Sequence, residues 1–241
     1  MSETIHALAK GSDAVEEYYS FLRSPVRERR YMKQIEGTVV LLGDSIFDNA
    51  HYVKPGQSVS DHLTRLQIEH KLLAVAGSVT VQVLDQLKNV PKNATDLFVS
   101  SGGNDALIAK GQLFPQSGIS PRNALELLTN FQIAFRKDYS KLLNPLHTLK
   151  LPVTVCTIYD CIPALEAIHK TALSVFNDII VLEATKRKFS IIDLRLLCDE
   201  ASDYSNISPI EPSEEGGLKI AKAIAMKVGA GRRLANHALS T

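Results

Sequence analysis

The stretch Thr38-Val39-Val40-Leu41-Leu42-Gly43-Asp44-Ser45 sets the reading of the whole chain: five β-branched or apolar residues run without a break into a glycine, a carboxylate and a hydroxyl. A strand with one wet face would alternate polar and apolar residues. A continuous apolar run fits a strand buried on both faces. The same figure recurs along the chain. Lys71–Ala76 meets Gly77-Ser78, Asp96–Ser100 meets Gly102-Gly103-Asn104-Asp105, Val153–Ile158 meets Tyr159-Asp160, and Phe189–Leu194 closes the set.

Between these runs the apolar spacing turns helical. Val59, Leu63 and Leu66 share a face within Ser58–Ile68, and a short helix spans about Val79–Leu87 before Pro91. Ile108–Ser120, with Gly111, Pro115 and Gly118, reads as a loop that shapes a pocket. Ser120-Pro121 then caps a long helix bearing Ala124, Leu128, Phe131 and Phe135. Pro163 is expected to open a further helix with Leu165, Ile168, Ala172, Phe176 and Ile179 buried. A loop, Asp199–Pro212, leads to a last helix from Ser213 towards Val228. Five alternations of strand and helix predict an α/β protein of three layers, α/β/α, around a doubly wound, mainly parallel sheet of about five strands. Residues 37–241 form that domain. Residues 1–36 read as a helical N-terminal extension, with a capping-type start at Ser12, Asp13 and Glu16 and a later basic run.

Composition excludes several other classes. The chain has 241 residues, 45% hydrophobic and 22% charged, as an ordinary globular protein has. Its net charge of +1 gives no argument for nucleic acid or an anionic membrane. No apolar run approaches the roughly 18 residues of a membrane span. The start Met1-Ser-Glu-Thr-Ile-His has no basic and apolar leader, so no secretory signal is expected. Cys156, Cys161 and Cys198 show no CxxC spacing and read as reduced thiols of a cytoplasmic protein. No metal or cofactor is implied.

In a doubly wound sheet, ligands bind beyond the carboxyl ends of the strands. Three consecutive ends here supply Ser45, Gly77 and Asn104. A hydroxyl nucleophile needs donors for the oxyanion of a tetrahedral intermediate. The backbone N–H groups of Ser45 and Gly77 and the amide of Asn104 offer them. The absence of a Cβ at Gly77 would let a carbonyl approach the backbone.

These blocks resemble those of the SGNH hydrolase superfamily, the GDSL esterases and lipases. Gly43-Asp44-Ser45-Ile46 is similar to the block carrying the nucleophile, Gly77 to the second-block glycine, and Gly102-Gly103-Asn104-Asp105 to the third block. The resemblance covers about residues 37–230. It implies a flavodoxin-like α/β/α fold, a small-molecule ester substrate, Ser45 as nucleophile, and Ser45, Gly77 and Asn104 as the oxyanion hole, without a metal.

The fourth block departs. The family's Asp-x-x-His precedes the last helix. Aligning Pro212, Ser213 and Gly216 puts Ser208 at the aspartate position and Glu211 at the histidine position. Glu211 is then the candidate base, provided burial raises its pKa from an ordinary value of about 4.3. Asp44, Asp105, His51 and Ser208 are supporting candidates. His51 is the histidine nearest a motif, whereas His62 and His169 are expected on helix surfaces. The competing reading is a binding protein on the same scaffold that lacks the His/Asp pair. A phosphate-binding protein would want a Gly-rich run where Asp44 instead places a negative charge.

Overall fold

The computed structural model describes residues 37–114 and 118–238, with side chains up to residue 229. The extension expected over residues 1–36 lies outside the described residues. Five strands form one sheet in the order β2-β1-β3-β4-β5: β1 (Thr38–Gly43), β2 (His70–Leu72), β3 (Ala94–Ser100), β4 (Val153–Cys156) and β5 (Ser190–Ile192). Every pairing is parallel. The helices are α1 (Val59–Arg65), α2 (Thr80–Gln86), α3 (Gly103–Leu113), α4 (Pro121–Thr148), α5 (Ala167–Lys186), α6 (Leu194–Leu197) and α7 (Glu214–Ala238).

The period of a strand divides its apolar side chains between two cores. Val39 and Leu41 of β1 pack with Val59 and Leu63 of α1, Leu194 of α6, and Ile220 and Ile224 of α7. Val40 and Leu42 face the other way, onto Val83 of α2, Phe135 and Leu142 of α4, and Phe176 and Ile180 of α5. The continuous apolar runs in the sequence thus have their cause: both faces of the central strands are covered. The chain leaves β1 for β2 on one side and returns to β3 on the other. The switch point of this doubly wound sheet therefore lies between the carboxyl ends of β1 and β3, where a crevice is expected. In the register, Gly43 pairs with Ser100 there.

Several boundaries differ from the sequence expectation, each for a tertiary reason. β2 is an edge strand of three residues rather than Lys71–Ala76, and Val75 beyond it is exposed. β4 stops at Cys156 because the Asn177 amide takes over both backbone groups of Ile158, accepting its N–H at 2.7 Å and donating to its carbonyl at 2.8 Å. β5 ends at Ile192 because Asp193 caps α6. The segment expected to be a loop from Ile108 is helical to Leu113 and passes through Gly111. A glycine in a helix interior costs about 1 kcal/mol, which the surrounding helix tolerates. Pro163 does not open a helix. Ala164 takes φ +63 in a turn, and α5 starts at Ala167 with Ile168 exposed rather than buried.

Candidate active site

Gly43 fixes how the chain leaves β1. Its φ is +137, and a Cβ there would stand 2.0 Å from the Ser100 carbonyl oxygen. The buried Gln86 amide clamps its backbone, accepting the Gly43 N–H at 2.7 Å and donating to the Gly43 carbonyl at 2.8 Å. The next residues form a tight turn, with the Phe47 and Asp48 N–H groups on the Asp44 carbonyl. Asp44 Oδ1 accepts the Ile46 N–H at 3.2 Å and the Ser100 hydroxyl at 3.0 Å. This turn presents Ser45 at the switch point.

The turn is tied to both neighbouring loops. Asp48 accepts the Ala76 N–H at 2.9 Å, fixing the segment that carries Gly77. Asn49, fully buried, accepts the Val59 N–H at 2.9 Å and donates to the Pro212 carbonyl at 3.2 Å. Gly77 has φ +81, and a Cβ on it would meet nothing within 4 Å. The backbone angle, rather than crowding, is what requires glycine there. Asn104 sits in the first turn of α3, and its Nδ2 donates to the Ser78 carbonyl at 3.0 Å.

Glu211 approaches from the loop before α7. Its N–H donates to the Ser208 carbonyl at 3.0 Å, and its carbonyl accepts the Ser205 N–H at 2.8 Å. Tyr159 holds the preceding residue through a 2.6 Å bond to the Ile210 carbonyl, and Ser205 Oγ donates to the Tyr52 carbonyl. The side chain is buried, and its Oε2 has no hydrogen-bond partner. Burial pushes the Glu211 carboxyl above the ordinary carboxylate range; the Ser45 side chain pulls the other way but does not cancel it. Asp44, 2% exposed, is pushed up to about 7. Burial is the main cause there. The bonds from Ile46 and Ser100 oppose it, and the like charge of Glu211 adds to it.

Asp44, Ser45, Asn104 and Glu211 line one cavity of about 100 Å³. That exceeds severalfold the roughly 10–15 Å³ that a single water needs. Its other walls are mainly apolar, from α3, α4 and α5. Gly77, Asp105, His51 and Ser208 are not among the described residues that line it. Asp105 Oδ2 instead accepts the Thr80 N–H and hydroxyl at 3.0 and 2.9 Å, at the start of α2. His51 is exposed, and Ser208 contributes its carbonyl to the Glu211 turn. Among the described residues, no group of three or more His, Cys, Asp or Glu side chains gathers that could hold a metal ion.

The two histidines expected on helix surfaces are placed otherwise. His62 is 2% exposed. Its Nε2 meets the Glu214 carbonyl at 3.1 Å and its Nδ1 meets Arg65 Nη2 at 2.9 Å, pinning α1 to the start of α7. Burial and then Arg65 hold its pKa below the ordinary histidine value. His169 lines the cavity. Gln86, Asn49 and His169 were not singled out as site residues from sequence. For Gln86 a signal existed: a polar residue on the apolar side of a predicted helix.

No protein-family model and no curated protein sequence matches the chain. Solved structures do. A lipase from a goat rumen metagenome superposes with a TM-score of 0.62 at 18% identity, covering 78% of this chain and 96% of that one. An α/β hydrolase enzyme from the metagenome of Lake Arreo, Spain, gives 0.61 at 14%, covering 82% and 97%. A member of the lipolytic G-D-S-L family from Veillonella parvula gives 0.56 at 15%, covering 79% and 97%. The chain has the fold of these proteins. Among the described residues, no helix is long and apolar enough to cross a membrane.

Proposed function

We propose that this chain is a serine hydrolase of carboxylic esters working through an acyl-enzyme. The observation that carries the reading is the convergence of Ser45, Asn104 and Glu211 on one largely apolar cavity at the switch point of the sheet. The fold shared with lipases and a G-D-S-L family member supports it.

In this reading Ser45 Oγ attacks the ester carbonyl carbon while Glu211 takes its proton. The carbonyl oxygen becomes an oxyanion, met by the Ser45 and Gly77 backbone N–H groups and by the Asn104 amide. An amide has two N–H donors. The one that Asn104 gives to Ser78 orients the group and leaves the other for the oxyanion. The intermediate collapses by breaking the bond to the alcohol oxygen, which takes the proton from Glu211. Water then attacks the acyl-enzyme with Glu211 again as base, releasing the acid and restoring Ser45. A carboxylate serves as base only when its pKa lies near the working pH. Burial of Glu211 acts in that direction.

The test is hydrolysis of nitrophenyl esters by the wild type and by Ser45→Ala, with fluorophosphonate labelling of both. Turnover and labelling that both vanish in Ser45→Ala are expected. A wild type that neither cleaves an ester nor takes the label at any pH between about 5 and 9 leaves the binding-protein reading in its place.

A further inference from the structure

The cavity extends well beyond the polar group at its mouth. Asn104 stands in the first turn of α3 and Phe114 follows its last residue, and both line the cavity. At 1.5 Å rise per residue the two are about 15 Å apart along the helix. Between them the walls are mainly apolar, from Ala109 and Leu113 of α3, Leu128 of α4, and Leu173 and Phe176 of α5, with Lys110 of α3 as the charged exception. A second polar group stands at the far end. The His169 ring packs edge-on against Phe114, with ring centroids 4.3 Å apart. Its Nδ1 is buried and makes no hydrogen bond; the exposed Glu166 carboxylate lies 3.8 Å away.

An apolar channel with a hydrogen-bonding group at each end matches a chain that is polar at both ends. We infer that the substrate is the ester of an unbranched aliphatic acid carrying a hydroxyl at its far end, with the chain lying along α3 and the hydroxyl bonded to His169. A neutral imidazole offers one donor and one acceptor, whichever tautomer it adopts. A hydroxyl, being donor and acceptor itself, pairs with the ring nitrogen that faces the cavity in either tautomer. A plain methyl would leave the imidazole unsatisfied. A site built to bond a hydroxyl rejects an analogue lacking it, because its own polar group is then buried without a partner. This inference rests on the hydrolase reading for the chemistry at Ser45.

The experiment compares kcat/KM for paired nitrophenyl esters of hexanoate, octanoate, decanoate and dodecanoate, each with and without a terminal hydroxyl. The hydroxylated member should win at one chain length, by roughly five- to a hundredfold, and by little at the others. His169→Leu should abolish or reverse that preference, and His169→Gln, which keeps a donor and an acceptor, should retain part of it. Absence of a hydroxyl preference at every length, or a preference unchanged in His169→Leu, overturns the inference. Nitrophenyl acetate, too short to reach His169, reports on the hydrolase reading separately, with Ser45→Ala as its control. Should no ester be cleaved, calorimetric titration of Ser45→Ala with the paired methyl esters still decides: tighter binding of the hydroxylated partner supports the channel, and equal binding overturns it.

Discussion

Asp44 should make this protein less stable as the pH rises, and Asp44→Asn should remove that loss. The wild-type carboxyl moves from an ordinary 3.8 to about 7 on folding, mainly through burial. Between these values the folded chain holds a proton that the unfolded chain has released, so stability falls as pH rises and levels off above about 7. At roughly 1.4 kcal/mol per pH unit, the full loss is about 4 kcal/mol. The side chain is almost wholly buried, so little solvent screening reduces it.

Asparagine keeps the oxygen that accepts from Ile46 and Ser100 and cannot ionise. The variant should lie close to the wild type at about pH 4 and gain on it by roughly 3–4 kcal/mol by about pH 8. For a chain of this size that is a relative rise in Tm of about 10 °C. Thermal unfolding of both proteins at the two pH values measures it, with the contributions of unrelated groups cancelling in the difference. A gap between variant and wild type that is the same at both pH values refutes the raised pKa of Asp44.

Asn104→Ala should lower kcat by roughly 10²–10³ with the fold intact; unchanged turnover on a confirmed substrate would reduce the residue to a tie between α3 and Ser78. Glu211→Gln should abolish turnover, and wild-type activity should rise with pH through one ionisation above the ordinary carboxylate value, as a pH–rate profile will show; retained turnover in the variant removes Glu211 as base. Glu183 joins α4 to α5. Burial raises its pKa, but Arg187, Lys186, Ser140 and Arg136 outweigh that and bring it to about 2. Its contribution to stability is present above about 4.5 and lost as pH falls towards about 2, so Glu183→Gln should lower Tm near pH 7 and much less near pH 2; equal losses at both would show that packing alone is at work.

The sheet was legible because burial on both faces writes itself into the sequence as unbroken apolar runs. The ends of elements were not, since they are set by distant partners. Asn177 stops β4 and Asp193 caps α6, while Gly111 looks like a helix breaker until the surrounding helix is seen. The same distinction holds at the site. Ser45 and Asn104 stand at strand ends that chain order alone identifies. Asn49 and Gln86 act on Pro212 and Gly43, respectively 163 and 43 residues away, and although the helix pattern marks Gln86 as unusual, nothing local names either partner. His62 and His169 fell on the wrong side of their helices because periodicity ranks apolar residues and is silent on which histidine finds a buried partner.

Two carboxyl groups in one cavity cannot both take the same part. The like charge of Glu211 adds to the burial of Asp44, so ionising one makes ionising the other harder. Their hydrogen bonds separate them. Asp44 Oδ1 is engaged by Ile46 and Ser100, and its backbone carbonyl closes the turn that presents Ser45. Moving that side chain would loosen the turn itself. Glu211 hangs from a loop secured through its backbone, with Oε2 uncommitted and the Ser45 side chain acting on its carboxyl. A base needs a free lone pair directed at the nucleophile, whereas a brace needs its lone pairs occupied. On the proposed reading, then, Asp44 braces the turn and Glu211 accepts the proton of Ser45. In that reading a carboxylate stands where the resemblance places a histidine, and its basicity would come from burial rather than from a partner.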